Sequence, residues 1–238
     1  ELAQFERDGY IVARALAASE ECAALKALAQ RDLDAQTAPV EYEADTQYPG
    51  APVSLEAPGG RTVRRLLQVC ARDPAVLRWA TQSAIAARLR QLLGPAVELS
   101  QAHHNCVMTK NPSYSSVTNW HQDIRYWAYA RPELVSVWLA LGREYFENGC
   151  LLVLPGSHKL EFGSEQLDEA LFLRPDVESN KPLIRTQRRV ELATGDVLFF
   201  HCRLFHAAGH NQTAETKFSV VFTYHAADNL PRAGTRSA

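Results

Sequence analysis

Hydrophobic and polar positions alternate in two different ways along the chain, and the pattern changes near residue 95. Before that point, hydrophobic residues recur at helical spacing in the segments 18–34 and 73–93. Ser19 and Asp73 are good N-cap residues for these two predicted helices. Between the helices, residues 37–60 hold several Pro and Gly residues without periodicity. We predict a long loop there, of the kind that often forms a functional lid.

From residue 96 onward the hydrophobic runs become short and are separated by turn residues such as Asn148-Gly149. Many short strands at this spacing predict an antiparallel sandwich or barrel, and the lack of strand–helix alternation argues against a parallel sheet. The predicted strands are 97–108, 134–141, 150–154, 190–192, 197–200 and 218–224. We therefore expect one domain over 1–238, mainly β with flanking helices, with a helical part at 1–95 and a β core at 96–226.

Composition narrows the classes of partner. The 25 Lys and Arg residues against 27 Asp and Glu residues give a net charge of −2, so no basic field attracts nucleic acid or an anionic membrane. The five cysteines contain no CxxC pair, which disfavours a disulfide framework or a zinc site. The N-terminal residues also lack the pattern of a signal peptide. We expect a cytoplasmic protein that acts on a small molecule; the sequence does not predict its oligomeric state.

The candidate chemistry begins at Trp120-His121-Gln122-Asp123. A His and an Asp two positions apart on a strand point to the same face, where both can bind one metal ion. A second, distant His would complete a set of two His and one carboxylate, which leaves three octahedral positions open. His201 and His206 both follow an apolar strand, and the residues alone favour neither.

Several motifs in order along the chain make it similar to the phytanoyl-CoA dioxygenase family of non-haem iron oxygenases. FERDGYIV at 5–12 resembles the opening of that family, and WHQD at 120–123 resembles its HxD motif. ENGCLLVLPGSHK at 147–159 resembles its glycine turn and PGSH segment. GDVLFF at 195–200 then leads, as in the family, to a distal histidine that here is His206, followed by Asn211.

The resemblance implies a double-stranded β-helix fold of the jelly-roll, cupin-like type. It also implies Fe(II), 2-oxoglutarate as co-substrate, and O2-dependent hydroxylation of a small-molecule metabolite with release of succinate and CO2. On the same ground His121, Asp123 and His206 are the expected metal ligands and catalytic residues. The carboxylate at Asp123 favours hydroxylation, because related halogenases have a small residue there.

The chain departs from the family where the far carboxylate of 2-oxoglutarate is bound. The family usually has an Arg eleven residues after the distal histidine, and here that position is Lys217. Lysine keeps the positive charge but loses the planar fork of arginine. Lys217 is the expected partner of the carboxylate, with Arg203 as the reserve cation and with Trp138 and His104 expected near the co-substrate. The alternative is a surface lysine in a protein with altered or absent co-substrate binding.

The substrate is not predicted beyond its candidate contacts. Gln122, Arg125 and Tyr126 follow the metal motif, and Arg64 belongs to an arginine cluster that could bind an anion.

Two other functions of the protein stay open. One is a non-catalytic metal- or ligand-binding β-sandwich protein of the same fold. The other is a cupin-type oxygenase without 2-oxoglutarate, which usually has three or four His ligands.

Overall fold

The computed structural model describes residues 1–46 and 48–238. Five α-helices in this part of the chain are α1 (Leu2–Asp8), α2 (Ser19–Asp34), α3 (Pro74–Ala80), α4 (Ser83–Leu93) and α5 (Lys181–Ile184). The strands are β1 (Tyr10–Ala13), β2 (Val40–Tyr42), β3 (Val63–Leu67), β4 (Val97–Leu99), β5 (Asn105–Lys110), β6 (Thr118–His121), β7 (Leu134–Ala140), β8 (Leu151–Val153), β9 (Arg188–Val190), β10 (Val197–His201), β11 (His206–Ala208) and β12 (Lys217–Ala226).

The strands form two antiparallel sheets. The larger sheet has the order β1-β10-β7-β12-β5-β3-β2, with β4 also pairing with β12. The smaller sheet has the order β6-β11-β8-β9. Strand neighbours that are far apart in sequence, such as β10 and β7, are typical of a jelly roll. The predicted double-stranded β-helix fold is confirmed.

Alternating side chains of the larger sheet pack into two different cores. In β7, Val137 and Leu139 belong to the cluster that faces the helices, which includes Trp79 of α3 and Ile85 of α4. Trp138 of the same strand packs in a second cluster, against residues of the smaller sheet. Because both faces of β7 are buried, its sequence is an uninterrupted apolar run rather than an alternation. Polar side chains on the inner face of the large sheet therefore lie in the protein interior.

The N-terminal part is less helical than the sequence predicted. The strand expected at Tyr10–Val12 is present as β1 and pairs with β10. Two further strands, β2 and β3, extend the larger sheet beyond β5. The boundary drawn at residue 95 consequently cuts through the larger sheet, because three strands of that sheet come from the region before it. No helix in residues 1–46 and 48–238 is long and apolar enough to cross a membrane.

The predicted loop 37–60 contains β2 and a short 3-10 helix, Glu43–Asp45, before an irregular stretch. Tyr48 of this loop reaches across to Tyr126, with 2.7 Å between the two hydroxyl oxygens. The ring of Tyr48 also meets Phe172 edge to face at 5.7 Å. Gln47 lies outside the described residues. Through Tyr48 the loop therefore contacts Tyr126 and Phe172, and its role as a lid stays a prediction.

Of the two predicted N-caps, Asp73 is confirmed at α3, whereas Ser19 is wrong because Ala18 occupies the N-cap position of α2. Asp73 has extended backbone dihedrals and its carboxylate accepts a hydrogen bond from the Ala75 amide at 2.8 Å. Asp73→Ala is expected to lower the free energy of unfolding by about 1 kcal/mol, the usual contribution of an N-cap. Urea denaturation checks the value, and Asp73→Asn, which keeps an acceptor, should recover most of the loss. Equal stability of all three proteins would show that this cap is dispensable.

Candidate active site

The predicted metal-binding residues meet at one end of the smaller sheet. His121 ends β6 and His206 begins β11, and the two residues are partners in the register of these strands. Asp123 opens the 3-10 helix Asp123–Tyr126 directly after β6. All three side chains are buried. The HxD spacing and one strand pairing are thus enough to bring together residues that are far apart in sequence.

Their free donor atoms point at a common centre. One ligand atom from each residue lies within 4.8 Å of the other two. Asp123 Oδ1 is 3.6 Å from His121 Nε2 and 3.4 Å from His206 Nε2. Backbone carbonyls fix the tautomers, because His121 Nδ1 donates to Asn119 O at 2.8 Å and His206 Nδ1 donates to Leu204 O at 3.0 Å. In the neutral ring this leaves Nε2 as the lone-pair atom that can bind a metal.

The electrostatics of His121 and Asp123 suit a cation, and the Asp123 charge raises the pKa of His206 although burial opposes this. Burial lowers the pKa of His121 to about 4, helped by neighbouring His206, so this ring is neutral near pH 7. Burial alone would raise the pKa of Asp123, yet nearby His104 and His206 hold it well below its usual value. Asp123 Oδ1 is buried without a hydrogen-bond donor in the part of the chain that the structure describes. A buried carboxylate oxygen without a partner is costly, and a divalent metal ion would satisfy it.

The other candidate histidines lie elsewhere. His201 ends β10, where its Nδ1 accepts a hydrogen bond from the Arg203 amide at 3.0 Å and its ring packs near Phe5 and His158. His210 hydrogen-bonds the carbonyl of Ser115. The geometry therefore favours His206 over His201. A cupin set of three or four histidines is not found either, because the metal-binding group of the described residues has two histidines and one carboxylate.

A cavity extends from this group between the two sheets. Its walls combine apolar side chains, among them Leu151 and Phe200, with an unusual number of cations. The charged residues lining it are Glu43, Arg64, Arg65, Lys110, Asp123 and Lys217. We call His121, Asp123 and His206 the metal-type cluster. A cavity rich in cations beside this cluster is suited to a small anionic ligand.

Lys217 lies in this cavity but is already paired with a carboxylate. Its Nζ is 3.1 Å from Glu144 Oε2, and both side chains are buried. The other oxygen of Glu144 accepts hydrogen bonds from Trp138 Nε1 at 3.0 Å and from Ser219 Oγ at 2.7 Å. Lys217 also lies 5.2 Å from the centre of the Trp138 ring. Lys217 and Trp138 thus lie close together and both contact Glu144, a residue that the sequence did not indicate.

His104 contacts the metal-type cluster from the side of the larger sheet. Its Nδ1 lies 3.5 Å from Asp123 Oδ2, and Ser136 Oγ donates to the same oxygen at 3.4 Å. Burial lowers the pKa of His104 to about 3, although the Asp123 charge opposes this, so the ring is neutral. Both residues hold the carboxylate of Asp123 in place by its outer oxygen, which leaves Oδ1 free.

The predicted substrate residues are divided between the cavity and its surroundings. Arg64 lines the cavity, where it binds Glu41 at 3.2 Å and Thr118 at 3.1 Å. The guanidinium of Arg125 lies over the ring of Phe172 at 4.1 Å and over that of Tyr126 at 5.2 Å. The Tyr126 ring is 6.2 Å from that of His121.

Two predicted polar residues point away from the cavity. Gln122 donates instead to the carbonyl of Arg203. Arg203 itself binds Glu161 at 2.7 Å and the carbonyl of Leu160, away from the cavity lining. The geometry gives no support to Arg203 as reserve cation.

Several residues of the site had no clear signal in the sequence. Glu144 lies in the connection after β7, and Tyr48 and Phe172 lie in irregular segments, where no periodicity assigns a direction to a side chain. Lys110 did have a signal, because it follows Cys106 and Met108 at spacings of two in β5 and so shares their inner face. That alternation could have placed it in the cavity.

Comparison with known proteins gives the family. The model of the family described as "Phytanoyl-CoA dioxygenase (PhyH)" matches residues 5–219 of this chain. An ectoine dioxygenase of Sphingopyxis alaskensis is 27% identical over 244 residues, covering 95% of this chain and 75% of that protein. A probable phytanoyl-CoA dioxygenase of Caenorhabditis elegans is 27% identical over 177 residues, or 70% of this chain. The chain spans about half the length of the phytanoyl-CoA dioxygenases that it matches, 55% of the nematode protein and 47% of the human peroxisomal one.

Solved structures show the same fold. EctD from S. alaskensis with 2-oxoglutarate and 5-hydroxyectoine superposes with a TM-score of 0.78 at 24% identity, covering 97% of this chain and 77% of that one. The epimerase SnoN in complex with Fe3+, alpha ketoglutarate and nogalamycin RO gives 0.78 at 23% identity, covering 98% and 86%. The family match extends over most of the sequence, includes all three residues of the metal-type cluster, and agrees with the fold. The chain belongs to the phytanoyl-CoA dioxygenase family.

Proposed function

We propose that this protein is an Fe(II)- and 2-oxoglutarate-dependent dioxygenase that hydroxylates a small molecule. The observation that carries the proposal is the buried group of His121, Asp123 and His206, whose free donor atoms converge beside a cation-lined cavity. Two histidines and one carboxylate on one face of a metal are typical of non-haem Fe(II) oxygenases. The related structures of EctD with 2-oxoglutarate and of SnoN with Fe3+ and alpha ketoglutarate support the same cofactors.

Fe(II), 2-oxoglutarate and O2 together supply oxidative decarboxylation of the co-substrate and hydroxylation of a substrate C–H bond. The chain supplies ligands, orientation and a dry site. His121, Asp123 and His206 would hold the metal, and the carbonyls of Asn119 and Leu204 keep both imidazoles in the metal-binding tautomer. His104 and Ser136 orient Asp123 from its outer oxygen.

The far end of the cavity would take the co-substrate. Lys217 and Trp138 lie there, on strands β12 and β7 of the larger sheet. We propose that Lys217 contributes positive charge toward the far carboxylate of 2-oxoglutarate, as the sequence predicts. The Glu144 carboxylate already neutralises much of this charge, so Lys217 differs from the free arginine expected in the family.

The substrate would enter past Arg125 and Tyr126. Arg125 Nη1 is buried without an acceptor in residues 1–46 and 48–238, and no carboxylate in that part of the chain lies within salt-bridge distance of its guanidinium. A guanidinium with a buried, unpaired donor atom favours a substrate that carries a carboxylate or another anionic group. We therefore propose an anionic small molecule as substrate, with no role for nucleic acid or membrane.

The proposed location remains the cytoplasm. The structure shows free thiols at Cys22, Cys70, Cys106, Cys150 and Cys202, which supports a reducing compartment.

Co-substrate turnover tests the function without knowledge of the substrate. Protein loaded with Fe(II) under O2 is expected to convert 2-oxoglutarate slowly into succinate and CO2, and a set of small carboxylates should contain compounds that accelerate this. His206→Ala, prepared in parallel, is the matched inactive control. If the loaded protein binds metal but never releases succinate above that control, the alternative of a non-catalytic metal- or ligand-binding protein would hold.

A further inference from the structure

Two lysines lie opposite each other on neighbouring strands of the larger sheet. Lys110 ends β5 and Lys217 begins β12, and the two residues are partners in the register of these antiparallel strands. The alternation along β12 places Lys217 on the inner face with Ser219 and Val221, and β5 places Lys110 there with Met108. Directly opposite like charges destabilise a sheet unless an anion lies between them.

The resident carboxylate balances only one of these lysines. Glu144 Oε2 lies 3.1 Å from Lys217 Nζ. Lys110 Nζ instead donates to the carbonyl of Ser116 at 3.0 Å, and no carboxylate in the described part of the chain lies within 4.0 Å of it. Burial, together with the charges of Lys217 and Arg64, lowers the pKa of Lys110 to about 7, against the opposing effect of Glu43. A half-buried ammonium without a carboxylate partner would be stabilised by an anionic ligand.

The total charge of the site indicates which anion fits. Four cations line the cavity, and the carboxylates that line it or pair with these cations also number four. These charges cancel, so a bound divalent metal ion would give the site a net charge of +2. A dianionic ligand such as 2-oxoglutarate would neutralise it. The cations are Arg64, Arg65, Lys110 and Lys217, and the carboxylates are Glu41, Glu43, Glu144 and Asp123.

A glycine leaves room for the Lys110 side chain. Gly149 has φ +74°, and a Cβ at this position would lie 2.6 Å from Lys110 Cε and 2.8 Å from Lys110 Cδ. The turn at Asn148-Gly149 therefore lets the stem of Lys110 pass close to the backbone on its way into the cavity. Gly149 itself lines the same cavity. The position of Lys110 is thus built into the fold rather than being one rotamer of a mobile surface side chain.

We infer that Lys110 is a second binding residue for the far carboxylate of the co-substrate and provides the positive charge that Glu144 has removed from Lys217. The inference rests on the proposed function, since it assigns a residue to its co-substrate. It also makes binding pH-dependent. The groups facing Lys110 are Lys217, Arg64 and Glu43. A dicarboxylate binds the protonated form of Lys110, so affinity is complete below pH 7 and falls as the pH rises through the pKa of the free site.

Titration calorimetry with the Mn(II)-loaded protein tests this without turnover. Wild-type protein is expected to bind 2-oxoglutarate with constant affinity below pH 7 and with progressively lower affinity toward pH 9. Above pH 8, binding should take up about one proton, seen as a dependence of the heat on the buffer. Lys110→Met is expected to weaken binding roughly 10- to 100-fold at pH 6.5 and to flatten the pH profile. Lys26→Met, at an exposed position of α2, is the matched control and should behave as wild type.

A second ligand separates a lost contact from a damaged fold. 2-Oxopentanoate keeps the keto acid and the chain length of 2-oxoglutarate but lacks the far carboxylate. Lys110→Met should bind it as wild type does. If the variant keeps wild-type affinity and pH dependence for 2-oxoglutarate, or loses both ligands equally, the role of Lys110 is wrong. If wild-type protein loaded with metal binds neither ligand, the proposed function fails together with this inference.

Discussion

His206→Ala is expected to abolish metal binding and all turnover of 2-oxoglutarate. The imidazole is one of only three donors that converge in the described residues, so its loss leaves one histidine and one carboxylate. Substitution of residues that merely orient metal ligands typically costs 10- to 100-fold in affinity, so removal of a ligand should cost at least about 100-fold. Calorimetric titration with Fe(II) or Mn(II) under nitrogen measures the affinity, and succinate release measures the activity.

The control for this variant is His201→Ala. His201 ends the preceding strand, β10, and its ring accepts a backbone hydrogen bond from Arg203 without reaching the metal-type cluster. This control should retain metal affinity and turnover, and added metal should still raise its thermal stability by mass action. The reverse outcome, with metal binding lost in His201→Ala and kept in His206→Ala, would move the metal site to the other histidine.

Lys217→Met is expected to destabilise the fold strongly in addition to weakening co-substrate binding. The substitution leaves the Glu144 carboxylate buried without its cation, with only Trp138 and Ser219 as hydrogen-bond donors. Removing one partner of a buried ion pair typically costs about 3–5 kcal/mol, because the remaining charge is uncompensated. Urea denaturation of the metal-free protein should show a loss of this size in the free energy of unfolding.

Glu144→Gln distinguishes this explanation from a simple packing defect. The double variant Lys217→Met with Glu144→Gln has no unpaired charge, so most of the stability should return. Its affinity for 2-oxoglutarate, in contrast, should stay low, because the co-substrate still lacks the Lys217 charge. If the double variant is as unstable as Lys217→Met alone, the ion pair is not the cause, and the methionine simply packs badly against Trp138.

Most of the fold and the metal-type cluster could be predicted from the sequence, for physical reasons that can be named. Turn residues and short apolar runs were sufficient for an antiparallel β fold, and the two-residue spacing of His121 and Asp123 places both on one side of a strand. The choice between His201 and His206 depended on the family resemblance. Only the register of β6 with β11 shows physically why His206 lies beside His121, and no local pattern encodes that pairing.

The remaining features depend on contacts between distant segments. β2 is three residues long and joins the sheet through β3, so its pattern is too short to separate from a loop. Glu144 is an ordinary loop residue in the sequence, and its importance comes from burial against Lys217. Lys110 could have been placed by alternation, but the absence of a counterion becomes visible only when its neighbours in space are known.

The most direct test of the account is a crystal structure of the protein with Fe(II) and 2-oxoglutarate, prepared without O2. It should show one metal ion about 2.0–2.3 Å from His121 Nε2, Asp123 Oδ1 and His206 Nε2, a range set by common metal–ligand bond lengths. The far carboxylate of 2-oxoglutarate should lie within hydrogen-bond distance of Lys110 Nζ, with Lys217 beside it. A metal ion bound at His201, or a co-substrate whose far carboxylate pairs with Arg64 or Arg203 instead, would contradict the account.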